Sequence, residues 1–526
     1  MRVACSLVSV AATVAALTSA GCSASKARIP TAPIDLSSRL AEADALVAAG
    51  CFDCLRDALQ KYQSLRSVTA AAPPALEHAT VGAVRTAALL ALRQNELGML
   101  DDGYLDTAKH LLALRPCNGL VSGCESLDRL LDIIGLLPPG PSGAAGRAPA
   151  SDERLVELQR LYRNREEWTR QLRDGAAEDE LSAYTWLSFA CGPGNGTRDE
   201  TIAPLGPMRD VPLVRFKQIM CFQATSGPLR AVIDADPRFL EVNYLLGFAA
   251  IGQRKLDDAE KAFEDAYAWH PEWPSLTLAM ASLALTAEEF ERSLTLYDRT
   301  LALEPKAVDA ILGRVRALSY LGRHEDAIAG ADDLLRGRFY LGDARYWRAW
   351  NDLQLDRLDE AWNDVELAAR LLVNAQVPKL AGQVAYRRKQ LDVARSKFEE
   401  SLQRDPTDCD TGFYLGVVLA DLRVWDRTAT AFVGAASCLE GAKRDVRSDI
   451  ETIRRSETNF ERRARLIAKR EQQIATMQRL LAQSSFNTAV AYFNLARNAE
   501  ARPFAERVAD DEQFGERARD LLSRIR

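Results

Sequence analysis

Small side chains recur along the middle of the chain with a fixed beat. Between Leu240 and Glu440, Ala259, Ser293, Ala327, Ala361, Ala394 and Thr428 follow one another at gaps of 34, 34, 34, 33 and 34 residues. Pro237, Pro271 and Pro305 keep the same interval and Pro406 takes it up again, each where a repeat would leave its second helix. A constant period of this length predicts stacked helical hairpins, each burying its apolar face only against its neighbours. The fold class expected is therefore all-α, an alpha-solenoid of antiparallel hairpins with six units over residues 240–440.

The flanks carry the same kind of pattern with less regularity. Over 36–137, Ser37 to Ser67 reads as a hairpin with Ala43, Leu46 and Val47 on one helix, a turn at Gly50, and Leu55, Leu59 and Tyr62 on the other. Residues 76–114 read as a second helical pair. The run 138–150, rich in Pro and Gly, cannot hold a helix and predicts a linker. Over 151–239 a helix is expected at 153–173, then a hairpin opening at Tyr184–Cys191 and carrying residues 192–213 as a tolerated surface loop. After Glu440, Val446, Ile450, Ile453, Phe460, Ile467, Ile474 and Leu481 keep a four-three spacing with Glu457, Ala464, Glu471 and Gln478 in the remaining slots. That predicts one long helix over 441–482, packed by a narrow stripe on the end of the solenoid. Its ten Lys or Arg against five Asp or Glu between Lys443 and Arg470 suit a solvated face, or a docking arm for an acidic partner or anionic lipid. Residues 483–526 read as a terminal hairpin and cap.

The residues filling the period resemble the tetratricopeptide repeat (TPR). From Leu240 as first position, Leu246 and Gly247 occupy the seventh and eighth places, followed by Ala259, Phe263, Ala266 and Pro271. Gly382, Ala394, Phe398 and Pro406, then Leu415, Gly416, Phe432 and Ala435, repeat the signature, while the middle units keep fewer of these types. Gly or Ala at the eighth and twentieth places lets antiparallel helices approach closely, and bulky residues at the seventh and twenty-fourth fill the space between hairpins. The resemblance implies a concave groove lined by the first helices, with the fifth and ninth places pointing into it. It thereby nominates Tyr244, Phe248, Leu278, Arg316, Tyr346, Trp350, Lys379 and Phe413, with Tyr320 at the thirteenth place. Rings beside Arg316 and Lys379 suit an extended or helical peptide whose carboxylate the cations could fix; the same rings equally suit packing between repeats.

The start of the chain adds a compartment. Met1-Arg2, an apolar run to about Ala20 and Ser19-Ala20-Gly21-Cys22 resemble a bacterial lipoprotein leader over 1–21, which implies lipidation of Cys22, a tether over 22–35 and a place on the periplasmic face of the outer membrane, or a soluble periplasmic chain after ordinary cleavage. Eight further cysteines fall into local pairs, Cys51 with Cys54, Cys117 with Cys124, Cys191 with Cys221 and Cys409 with Cys438, as disulfides in an oxidising compartment would. The formal charge of −6 does not suit nucleic acid. Four His residues, none in a catalytic or metal-binding motif, and the lack of a phosphate-binding Gly-rich loop leave no catalytic residue, metal or cofactor to nominate. The expectation is a non-enzymatic scaffold holding an envelope protein or peptide, with an envelope redox protein using Cys51 and Cys54, or a self-associating spacer, as alternatives.

Overall fold

The computed structural model describes residues 36–67, 73–114, 124–136, 165–191, 197–336, 341–457 and 460–525. The leader with Cys22, the tether, the Cys117–Cys124 pairing and the linker at 138–150 lie outside them. Among the described residues the chain is all-α, a TPR-type solenoid of 25 α-helices and one 3-10 segment.

Hairpins α1 (Leu36–Ala49)/α2 (Phe52–Arg66) and α3 (Pro73–Leu97)/α4 (Tyr104–Ala113) open the fold, followed by α5 (Cys124–Leu136), α6 (Arg165–Gly175) and α7 (Glu180–Ala190). The segment expected as a loop is helical from residue 198 onward: α8 (Arg198–Ile202) runs into a 3-10 segment, Ala203–Asp210. Thr197 caps α8 reciprocally, its backbone N–H donating to Glu200 Oε2 at 2.7 Å and its Oγ1 accepting from the Glu200 N–H at 3.4 Å. Leu205 is fully buried, and Trp186 Nε1 donates to the Thr201 carbonyl at 2.8 Å. A capping box and one buried leucine thus outweigh the Gly and Pro content that reads as a loop. Helices α9 (Pro212–Phe222) and α10 (Ser226–Ala235) lead to the array.

The array pairs α11 (Val242–Gly252) with α12 (Leu256–Trp269), α13 (Pro274–Thr286) with α14 (Phe290–Leu303), and α15 (Val308–Tyr320) with α16 (His324–Leu335). It continues with α17 (Gly342–Gln354) and α18 (Leu358–Leu371), α19 (Gln376–Arg387) and α20 (Leu391–Arg404), then α21 (Cys409–Asp421) and α22 (Trp425–Ser456). Each first helix ends on a left-handed residue: Arg254, Glu288, Gly322, Asp356, Lys389 and Arg423 have φ between 58° and 73°. The next N–H then reaches back five residues, as from Lys255 to the Ala250 carbonyl at 2.9 Å and from Glu289 to Ala284 at 2.8 Å, closing the helix with the Schellman pattern. Five of the six are not Gly, so composition hides a turn that the period reveals.

Close approach within hairpins is set by glycine. A Cβ on Gly247 would lie 2.1 Å from Cε1 of Phe263, a ring with no exposure and no room to swing. Gly247→Ala should therefore cost roughly 1–3 kcal/mol through overpacking. Gly252→Ala, at a site open for 4 Å around the new carbon, should be neutral or gain up to about 1 kcal/mol. Urea unfolding of the two variants side by side checks both signs.

The N-terminal hairpins are not a separate lobe. Arg93 of α3, wholly buried, donates to Glu241 at the start of α11, and Glu241 Oε1 also accepts the Phe52 N–H of α2 at 3.0 Å. The Arg93 guanidinium lies 4.4 Å from the Phe216 ring centre of α9. One turn along α3, Glu96 accepts from Tyr184 Oη at 2.6 Å, from Ser188 Oγ at 2.6 Å and from Lys217. Trp273 Nε1 donates to the Leu97 carbonyl at 2.8 Å, and Trp269 Nε1 to Asp53 at 2.9 Å. One apolar core runs from Leu40 to Leu283 around these polar ties.

The long C-terminal helix expected over 441–482 is two helices. Helix α22 continues the sixth repeat to Ser456, the chain reverses at Glu457, and α23 (Phe460–Asn494) runs back before α24 (Asn498–Arg507) and α25 (Gly515–Arg524). Ile450 is buried, and Val446, Ile453, Ile467, Ile474 and Leu481 are half-buried along the resulting antiparallel arm. The left-handed beat resumes at Ala496 with φ 57°. The arm is thus an insertion between the sixth repeat and a seventh hairpin, made without interrupting either flanking helix.

Candidate protein-interaction site

The nominated groove residues separate into three sets. Tyr244, Phe248 and Leu278 lie together at the first two repeats, where successive first helices α11, α13 and α15 border a cavity of about 330 Å³. Tyr244 is buried against Trp273, ring centres 4.5 Å apart, while Phe248 meets Tyr244 edge-on at 5.0 Å and stays 45% exposed. Tyr244 therefore forms the wall behind and Phe248 the accessible ring.

Arg316, Tyr320, Tyr346 and Trp350 belong to a second cluster across repeats two to four, completed by residues the fifth- and ninth-place rule misses. Phe290 stacks on Tyr320 at 4.8 Å and 18°; Tyr320 meets Trp347 at 5.6 Å. Trp347 touches Tyr346 at 5.5 Å and Trp350 at 5.9 Å, and the Arg316 guanidinium sits 5.7 Å from its ring centre. His324 closes the row 5.7 Å from Trp350 and is fixed through Nδ1 to Asn351 Oδ1 at 2.9 Å. Burial pushes the Tyr346 hydroxyl up to about 12, whereas Tyr320 is 47% exposed. Offset and edge-on ring pairs of this kind, with a cation on a face, give contact area at little entropic cost. Phe290 and His324 stand one 34-residue period apart, a spacing that would have found them.

Lys379 and Phe413 do other work. Lys379 Nζ lies 2.9 and 3.0 Å from the two carboxylate oxygens of Asp408, tying the fifth repeat to the sixth. It is committed to a carboxylate of its own chain. Phe413 is buried against Phe432 at 5.6 Å.

The arm brings its charge back onto the array. Arg462, nearly buried, lies 3.0 Å from Asp257 Oδ1, 3.4 Å from Glu457 Oε2 and against Glu260. Arg465 reaches Glu289 at 2.8 Å, and Lys469 pairs with Glu288 while its Nζ lies 5.2 Å from the Phe290 ring centre. Positions 462, 465 and 469 fall on one helical face. They meet acids at the turns of two consecutive repeats. Part of the basic face expected in solvent is thus neutralised by the chain itself, beside the Phe290 end of the aromatic row.

Cys51–Cys54, Cys191–Cys221 and Cys409–Cys438 are disulfide-bonded, with Cα separations of 4.9, 5.5 and 5.4 Å. Both Cys51 and Cys54 are buried, among Phe216, Leu229, Phe239 and Val242. A disulfide enclosed in this way acts as a staple, since thiol exchange needs access to sulfur. Among the described residues no group of three or more His, Cys, Asp or Glu is placed to hold a metal ion, and no helix is long and apolar enough to cross a membrane.

No protein-family model and no curated protein matches the sequence. Solved structures similar to the chain include a TPR protein of Thermus thermophilus, 18% identical, covering 34% of this chain and 99% of its own at a TM-score of 0.31. A tetratricopeptide repeat protein of Parabacteroides merdae is 14% identical over 54% of this chain and 97% of its own, TM-score 0.32. The Cut9–Hcn1 assembly of the APC/C is 14% identical over 93% of this chain and 95% of the matched chain, TM-score 0.37. The TPR-type register rests on the chain's own repeat: hairpin boundaries, left-handed turns and glycine–ring contacts recur together.

Proposed function

We propose that the protein is a non-enzymatic interaction scaffold of the bacterial cell envelope, which holds a partner protein or peptide on the face built by its first helices. The continuous aromatic row Phe290, Tyr320, Trp347 and Trp350, exposed at Tyr320 and half-buried at the other three, carries the reading. Half-exposed rings with a guanidinium on one face are what interfaces concentrate, and isolated hydrophobes do not form such a row. The envelope assignment is supported by the leader-like start with Cys22 and by disulfides at Cys51, Cys191 and Cys409. Tethering through a lipid on Cys22 would leave the array facing the periplasm.

Pull-down from envelope extracts tests both parts. Wild type should retain a partner that Tyr320→Ala/Trp350→Ala loses by at least tenfold at unchanged helix content, and Cys22→Ser should move the chain from the membrane to the soluble fraction. Retention of every partner by the double variant removes the aromatic row as the binding face. A membrane-bound Cys22→Ser chain removes the lipid anchor.

A further inference from the structure

The cavity at the first two repeats has a chemistry of its own. Its walls are mostly apolar, with Phe248, Ile251 and Leu278 among them, and Ser275, Ser282 and Thr286 add hydroxyls. Of the residues that line it, Asp309 alone carries a charge. Asp309 stands in the first turn of α15, half-buried, and among the described residues it has neither an ion-pair nor a hydrogen-bond partner through its carboxylate. Every other carboxylate noted at the array's working surfaces is neutralised: Asp408 by Lys379, Glu288 by Lys469, Glu289 by Arg465 and Arg292. Of the cations on the same helix, Arg314 is paired with Asp298 at 2.6 Å, and Arg316, two turns away and roughly 10 Å along the axis, lies over Trp347.

A carboxylate drawn partly out of water with no counter-charge is unfavourable, and burial pushes its proton affinity up. Filling an apolar cup would dry it further. A ligand with only apolar groups would deepen that cost, and an acidic one would add repulsion. An ammonium or guanidinium brought in beside an apolar side chain reverses the sign, forming a charge-assisted contact with Asp309 while Phe248 offers a ring face to the cation or the neighbouring group.

We propose that this cavity, within the groove assigned above and resting on that assignment, selects a partner polypeptide segment in which Arg or Lys lies within a few residues of an aliphatic or aromatic side chain, with Asp309 taking the cation and the Phe248 cup taking the apolar group. The partner class is thereby a basic-apolar segment. Arg316 and Lys379 had pointed instead to a peptide carboxylate, and Lys379 is already engaged.

Selection from a library of nonapeptides randomised at the five central positions, presented to the full-length chain, tests this. Wild type should enrich Arg or Lys near an apolar residue. For the best peptide, replacing that Arg by citrulline, which keeps the shape and removes the charge, should weaken binding about tenfold. Asp309→Asn should do the same, and combining both changes should add little. Equal binding of the citrulline twin, enrichment of acidic peptides, or no selection at all overturns the proposal. Phe248→Ser, checked for unchanged helicity, separates the levels. Selected peptides that lose affinity with Phe248→Ser yet ignore Asp309→Asn remove the cation site and leave the groove standing; peptides that ignore Phe248→Ser, Tyr320→Ala and Trp350→Ala bind outside the groove altogether.

Discussion

Arg93→Met should destabilise the protein by about 3–5 kcal/mol, the usual consequence of leaving one member of a fully buried ion pair alone. Glu241 would then be left with backbone N–H donors alone, that of Phe52 and its own, at a position with no exposure. Glu241→Gln should lose a similar amount by stranding the guanidinium. Because buried pairs often break even against apolar replacements, Arg93→Met combined with Glu241→Leu should recover most of the loss. Guanidinium unfolding followed by fluorescence, supplemented by limited proteolysis of residues 36–113, reads the cycle. Single variants within 1 kcal/mol of wild type would show that the N-terminal hairpins hold to the array without this pair. The ties from Trp273 to Leu97 and from Trp269 to Asp53 are then the remaining candidates.

Reversal of one charge on the arm should have the next largest effect. Arg462 lies among Asp257, Glu260 and Glu457 with little solvent to screen it. Arg462→Glu would gather four carboxylates at one nearly buried point, and a loss of at least about 3 kcal/mol is expected for the docked state. That corresponds to more than a hundredfold in the docking equilibrium. The arm should swing from repeats one and two while its own hairpin persists, because the apolar stripe along α22 and α23 is untouched. Small-angle scattering should show a larger maximum dimension, and amide exchange over 460–470 should accelerate by a similar factor. Asp257→Arg in the same chain should restore part of the docking. By contrast Arg465, more exposed, should matter less and in a salt-dependent way. An unchanged scattering profile for Arg462→Glu would mean that packing alone holds the arm.

The solenoid was legible because its cause is local and repeated: the same small-against-large contact, Gly247 with Phe263, Gly382 with Phe398 and Gly416 with Phe432, imposes the same residue types at the same interval. The groove was legible only in part. Fifth and ninth places fall on one face of any first helix, so Phe248, Leu278, Arg316, Tyr346 and Trp350 could be nominated by counting. Whether a ring there meets solvent depends on what stands behind it, and Trp273 behind Tyr244 or Phe432 behind Phe413 is a fact of packing between segments. Phe290, His324 and Trp347 were missed for a related reason. Phe290 and His324 open second helices one period apart and Trp347 stands beside an inward place, so a count confined to fifth and ninth places passes over them.

By itself, then, the sequence determined the period, the all-α hairpin and the close approach of paired helices, all of which follow from contacts among residues fewer than about forty positions apart. The tertiary structure decided what long-range pairing controls. A four-three stripe with no Gly or Pro near Glu457 is as compatible with one continuous helix as with two; the two stripes close on each other as an antiparallel pair, and Arg462, meeting carboxylates some two hundred residues earlier in the chain, docks that pair on the array. Likewise Glu241, at the start of the first repeat, is a buried tie because Arg93, far off in sequence, lies opposite it. Periodicity records a helix's neighbours in its own repeat; the partner of a charge or an exposed ring is chosen by the superhelix as a whole.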